Sequence, residues 1–186
     1  NEKWQILNGK ASPRVAIVHD WLYGGGAELV VEQLHKLYPE APIYTSFCTD
    51  EWRRKLDNKV ITGYLQHWPF AKLRKFLPVL RQHWFKKLDL SLFDLVISSS
   101  GNGEAKFVLS KNEKWQMKNG KSITKPVHIC YCHTPPHFYW RKYEEYLKNP
   151  GFRPKWLVRL GLKLLVKPLR KRDYDAAQSV DYFIAN

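Results

Sequence analysis

The stretch from Val127 to Trp140 reads VHICYCHTPPHFYW and carries an imidazole to the end of a strand. Val127 to Tyr131 is rich in β-branched and apolar residues, which predicts a buried strand. His133-Thr134-Pro135-Pro136 then breaks it, because proline cannot donate to a ladder and biases the residue before it toward extended backbone. Ligands of parallel sheets bind just outside the carboxyl ends of the strands. His133 is therefore the first candidate site residue, and an imidazole there is a hydrogen-bonding and proton-handling group.

Two other stretches bring polar groups to the same end. Asp20 follows the apolar run Arg14 to His19, and Gly24-Gly25-Gly26 precedes a helix over 27–38. Strand, glycine turn and helix is the geometry that aims free backbone N–H groups at an anion; it also suits a plain tight turn. Glu28 in the first helical turn suits the helix dipole. It would repel a phosphate, which points to a hydroxylated ligand. A third stretch, Ser98 to Gly103, ends the strand that starts at Asp94, with Ser100 and then Lys106 as candidates. It lines a ligand crevice or makes a turn. The three loops together predict a polar binding site.

The elements that must position these loops alternate along the chain. Strands are expected at 14–19, 43–47, 60–62, 94–99, 127–131 and 181–185. Helices are expected at 27–38, from the cap Asp50 to Leu56, in two short pieces within 64–88 divided by Pro69 and Pro78, and at 141–147. A basic helix follows Pro154 and is kinked or ended by Pro168, with a further helix over 169–179. This alternation predicts an α/β, doubly wound, mostly parallel Rossmann-like sheet with helices on both faces. Residues 1–13 read as an extension before a domain over 14–186. Within it NEKWQILNGK at 1–10 recurs as NEKWQMKNGK at 112–121. Asn-Gly in both copies predicts a tight hairpin turn, and the repeat has no functional reading.

The 186 residues with 44% hydrophobic content suffice for one packed domain. No apolar run reaches the roughly 18 residues of a membrane-spanning helix, and no signal peptide is visible. Three cysteines are too few for a disulfide framework, and Cys130 and Cys132 are too close for a CxxC turn. A reduced, cytoplasmic protein is expected. The net charge of +14 is localised. Residues 64–88 hold six Lys or Arg and no acid, and residues 152–172 hold eight and no acid. The remainder balances, so two basic apolar segments sit on a neutral domain and point to a polyanionic surface. Lys72, Arg74, Lys75, Arg81, Trp84, Lys86 and Lys87 in the first, and Lys155, Arg159, Lys163 and Lys167 in the second, read as an interfacial membrane-binding set. Core-packing helices with a solvated basic side are the other reading. Nucleic acid is not expected, because no zinc-finger, helix-turn-helix or RNA-module spacing accompanies the charge.

VAIVHDWLYGGGAE, APIYTSF, DLVISSS, HICYCHTPPHFYW and VDYFIAN occur in this order over residues 14–186. They resemble the N-terminal domain of family 4 retaining glycosyltransferases of the GT-B fold, most closely the mannosyl- and related transferases of bacterial surface-polysaccharide assembly. The resemblance implies that His133 faces the interdomain cleft near the transferred sugar and orients its hydroxyls, in a front-side, metal-independent transfer from a nucleotide-sugar donor. It implies that Gly24, Gly25 and Gly26 face the donor diphosphate and the acceptor, and that His19 and Asp20 contact acceptor hydroxyls. His137 stands where relatives often carry arginine, and Ser98 to Lys106 departs from the family's serine-histidine-alanine wording. The basic segments would dock on an anionic inner membrane and reach a saccharide or polyprenyl-linked acceptor, which places the protein peripherally on the inner face of the cell membrane. The family's second domain, with its E-x7-E glutamates, is not in this chain. The resemblance thus implies the acceptor half of a two-domain enzyme, inactive alone. The alternative is a non-catalytic basic module that binds anionic membrane or nucleic acid and retains the fold.

Overall fold

In a computed structural model, residues 13–101, 103–110, 125–151 and 153–185 are described, Lys75 by its backbone only. Both copies of the ten-residue repeat lie outside the described residues. Six strands form one all-parallel sheet among the described residues: β1 (Val15–His19), β2 (Ile43–Thr45), β3 (Val60–Ile61), β4 (Leu95–Ser100), β5 (Val127–Cys132) and β6 (Tyr182–Ala185). Their order is β3-β2-β1-β4-β5-β6. The chain winds outward from β1 to one edge, then returns to β4 on the other side of β1 and winds to the opposite edge. This is the Rossmann-like doubly wound arrangement, and its switch point lies between β1 and β4.

Both faces of the sheet are covered, which is why β1 and β4 are buried along their whole length. Val15, Ile17, Leu95, Ile97 and Val127 face α1 (Gly26–Leu37) and the residues around α2 (Asp50–Lys55), meeting Val31, Trp52 and Leu56. Ala16, Val18 and Val96 face the opposite way. They meet Trp84 and Phe85 of α4 (Pro78–Lys87), Phe107 of the 3-10 helix Ala105–Leu109, and Ala176 of α6 (Lys155–Ala177). The short α3 (Phe70–Leu73) precedes α4, and α5 (Tyr143–Lys148) precedes α6. A satellite cluster of Tyr139, Val166 and Leu169 pins α6 to the loop after β5.

Local corrections to the expected elements have simple causes. Thr49, not Asp50, caps α2: its hydroxyl accepts from the Trp52 N–H, and Asp50 becomes the first helical residue. Leu37 lies 71% exposed, because the buried stripe of α1 runs through Glu28, Val31 and His35 instead. Pro168 neither ends nor splits the basic helix, which continues from Lys155 to Ala177. Val166 and Leu169 are buried on either side of it, so packing holds the backbone helical across the proline.

His128 on β5 is fully buried, with Nε2 2.8 Å from the Ser98 hydroxyl and Nδ1 unpartnered among the described residues. Burial, and then Lys125, pull its imidazole down to about 3 from an ordinary 6.5. Between these values the unfolded chain binds a proton that the native state refuses. Stability should therefore fall as pH drops from 6.5 toward 3, by on the order of 4 kcal/mol. Chemical denaturation across this range should show the slope, and His128→Asn, which has no proton to gain, should flatten it.

Candidate functional site

The register of the sheet sets His19 of β1 directly beside Ser99 of β4, and Ser99 beside Tyr131 of β5. His133 follows two residues later, its backbone N–H donating to the Ser100 carbonyl at 3.1 Å. Three polar side chains thus meet at the carboxyl edge of the switch point. His19 Nδ1 lies 2.8 Å from the Ser99 carbonyl and 3.2 Å from the Ser99 hydroxyl, and that hydroxyl lies 2.8 Å from His133 Nε2. His19 and Ser99 are buried, and His133 is half-buried.

This chain of contacts assigns the protons. A carbonyl accepts only, so His19 carries its hydrogen on Nδ1. The buried Ser99 hydroxyl then gives its own hydrogen to His133 Nε2, because a buried hydroxyl needs an acceptor. His133 is left neutral with its hydrogen on Nδ1. Burial, and then the neighbouring His19, hold its imidazole below the ordinary 6.5, against the opposite pull of Asp20 and Glu28. A ¹⁵N imidazole spectrum at pH 7 should show His133 as the neutral Nδ1–H tautomer, and Ser99→Ala should mix the two tautomers.

Asp20, a candidate for contact with acceptor hydroxyls, holds the loops together. Its carboxylate accepts from Gly101 N at 2.8 Å and Ala105 N at 2.6 Å, and it is 1% exposed. Its carbonyl accepts from the backbone and hydroxyl of Ser46 after β2. One residue therefore ties the ends of β1, β2 and β4. The glycine turn, expected either to aim N–H groups at a ligand or to be a plain tight turn, has two of its N–H groups taken by a carboxylate. Glu28 folds back on it, and Oε1 accepts from Tyr23 N at 3.4 Å and Gly24 N at 3.0 Å. Gly24 has φ +134, which an L side chain rarely adopts, so this turn needs glycine there. Gly25 and Gly26 complete the turn into α1, both exposed.

Lys106 is likewise committed. Its ammonium lies 2.7 Å from Asp173 of α6, which also accepts from Tyr139 OH at 3.2 Å and Trp140 Nε1 at 2.9 Å. Gly103 allows this packing: at φ +90, a Cβ there would fall 2.5 Å from Pro136 Cγ. Ser100 is buried, and among the described residues its hydroxyl has no partner. Burial raises the Cys132 thiol and pushes Cys130 up to about 12 and Cys48 up to about 11, so all three stay protonated at neutral pH and none is a ready nucleophile.

Arg74 lies beside the glycine turn, its guanidinium 4.5 Å from the Tyr23 ring and 4.7 Å from the Phe47 ring. It is a stacked, half-buried cation whose Nη1 donates to the Ala71 carbonyl at 2.7 Å, rather than a free surface charge. The carboxyl edge thus offers the half-buried, neutral imidazole of His133, which suits a sugar-like hydroxyl group.

The expected membrane set divides. Arg81 and Trp84 are buried, at 2% and 8% exposure, and do not reach a surface. Arg81 pairs with Glu104 at 2.7 Å, and Trp84 packs in the core against Phe85. Lys86 lies half-buried over the Phe107 ring. The Lys75 side chain lies outside the described residues. Lys72, Lys87, Lys155, Arg159, Lys163 and Lys167 are exposed. In α6 the buried residues Val166, Leu169, Asp173 and Ala176 all lie in or after its middle, so residues 155–165 form a half-helix held on the surface. Trp156, Leu157, Leu160, Leu164 and Leu165 are exposed there beside the cations. Among the described residues, no helix is long and apolar enough to cross a membrane.

Comparison with protein families, with characterised proteins and with solved structures gives no match to this chain. The functional reading therefore rests on the geometry of the site and on the sequence resemblance.

Proposed function

We propose that this chain is the acceptor-binding and membrane-docking half of a retaining glycosyltransferase, which transfers a sugar from a nucleotide-sugar donor to a saccharide or lipid-linked acceptor in surface-glycan assembly. The observation that carries this reading is the His19–Ser99–His133 chain at the β1/β4 switch point, where a doubly wound sheet binds its ligand. His133 in this reading holds a sugar hydroxyl through Nδ1–H while Ser99 fixes its tautomer. The acceptor oxygen bonds to the anomeric carbon as the bond to the donor diphosphate breaks, and the acceptor proton leaves with the departing phosphate oxygen. Donor binding belongs to a second domain, in the same chain or in a partner. The exposed half of α6 supports docking on the inner face of the membrane, since each Lys or Arg near an anionic surface contributes about 1 kcal/mol.

A second reading is favoured by one observation. Glu28 takes two backbone N–H groups of the glycine turn that a donor diphosphate would need. A non-catalytic module that binds an anionic membrane or nucleic acid accounts for this directly. Sedimentation with vesicles and addition of a donor domain separate the two. The glycosyltransferase half should bind anionic vesicles better than neutral ones, lose that binding in high salt, and turn over once a donor domain is supplied. Equal sedimentation with both vesicle types removes docking from the reading, and vesicle binding without turnover in the reassembled enzyme leaves the module.

A further inference from the structure

Glu28 does more at the glycine turn than start a helix. It is the third residue of α1, where a glutamate commonly bonds back to the N–H of the capping residue. The cap here is Gly25, and the carboxylate reaches past it, so that Oε1 accepts from Gly24 N and Tyr23 N. Among the described residues Oε2 accepts from nothing, and it keeps contact with solvent although Glu28 is only 4% exposed. Gly25 makes room for it, since a Cβ there would lie 3.0 Å from Oε2. The turn is thus built around an internal carboxylate that has one oxygen left open.

The surroundings of that oxygen select what it takes. Tyr23, Gly24, Gly25 and Gly26 are all exposed, so a ligand can approach the turn. The charge of Glu28 also reaches His133: burial and then His19 lower that imidazole, and Asp20 and Glu28 oppose them. Asp20 already accepts from Gly101 N and Ala105 N. Glu28 therefore offers an acceptor, and His133 a donor through Nδ1–H, at the same edge of the sheet. One acceptor and one donor complement two hydroxyls of one ring, the first giving its hydrogen and the second receiving one. A phosphate at the turn would meet N–H groups already taken and a charge of its own sign. We infer that Glu28 is the specificity-determining residue of this site, its Oε2 accepting from a hydroxyl of a neutral sugar ring while His133 holds a second hydroxyl, and its charge turning phosphates away from the glycine turn. The inference rests on the transferase reading of the site, and it assigns the turn to the acceptor sugar rather than to the donor diphosphate.

Glu28→Gln separates the two roles. Its amide oxygen still serves the turn, while the charge is gone and an N–H group stands where Oε2 accepted. The ¹⁵N-labelled whole chain is titrated with methyl α-mannoside, methyl α-glucoside and methyl α-galactoside, and separately with inorganic pyrophosphate. The signals followed are the Tyr23 and Gly24 amides and the His133 ring. At least one hexoside should move all three, and pyrophosphate should move neither amide. Glu28→Gln should weaken that hexoside about tenfold, as for a lost hydrogen bond to a charged group, and should let pyrophosphate move Gly24. Gly25→Ala tests the geometry with the charge kept, and it reads the site even where Glu28→Gln fails to fold. The backbone of Gly25 is extended at φ 169, which alanine adopts, and the added methyl displaces Oε2. This variant should weaken the hexoside and still exclude pyrophosphate. Pyrophosphate that moves Gly24 in the original chain overturns the proposal. So does a hexoside whose affinity neither variant changes, and so does the absence of any hexoside response at the turn. Hexoside binding that depends on Glu28, without turnover in the reassembled enzyme, defeats the transferase reading and leaves the sugar seat standing.

Discussion

Arg81→Met should cost the fold about 3–5 kcal/mol, the range for removing one partner of a buried ion pair. Arg81 and Glu104 are 3% and 1% exposed at their side chains, and among the described residues Glu104 Oε2 already lacks a hydrogen-bond partner. Taking away the guanidinium leaves a carboxylate with no compensating charge. The double variant Arg81→Met/Glu104→Leu should recover most of the loss, because two apolar side chains replace the pair and nothing charged is stranded. Urea denaturation of both variants measures this. The deficit of the single variant should also depend on pH. Burial pushes the Glu104 carboxyl up to about 7 despite Arg81, against an ordinary 4.5. The folded state therefore holds a proton that the unfolded chain releases, and stability from this group falls as pH rises from 4.5 through 7. Without Arg81 the carboxyl is raised further. The single variant should then be closest to the original chain near pH 5 and furthest from it near pH 8.

His133→Ala should lower the turnover of the reassembled enzyme by roughly 10²-fold, the size of effect expected when a positioning contact at the reacting centre is lost. Stability should fall by only about 1–3 kcal/mol, because the ring is half-buried and the loss is that of the acceptor for the buried Ser99 hydroxyl. Vesicle binding should be unaffected, because the exposed cations of α6 are distant in sequence and unchanged. The pH profile carries the sign of the mechanism. His133 works as a neutral ring that accepts from Ser99 at Nε2, and its imidazole is held below 6.5. Activity should hold at neutral pH and fall on acidification below the ordinary imidazole range. A variant that loses turnover together with several kcal/mol of stability would assign His133 to folding instead.

The fold was legible because a parallel sheet covered on both faces writes its strands as continuous apolar runs. RVAIVH, DLVISS and VHICY each became a strand within one or two residues of expectation. His133 and the three converging loops were legible for a related reason, since prolines, glycines and serines cluster where strands stop. The partners of those residues were not. Asp20 meets Gly101 and Ala105 more than 80 positions away, and nothing in local spacing shows that its oxygens are taken by backbone. Ser99 belongs to the stretch read as a crevice lining or a turn, and only the register places it against His19. Arg81 and Trp84 belong to a basic, aromatic stretch whose composition suits a membrane surface, yet a glutamate 23 positions later draws the arginine inside. Glu28 was the exception: a carboxylate in the first turn beside three glycines hinted that the turn would not be free for phosphate.

Whether this chain is the acceptor half of a retaining glycosyltransferase is tested by transfer of a labelled hexose, from a set of nucleotide-hexose donors, to the lipid fraction of membranes by the chain together with a donor domain. One donor should give labelled lipid with the anomeric configuration retained, and His133→Ala should remove most of the label. No label from any donor, or label that His133→Ala leaves unchanged, would contradict that reading.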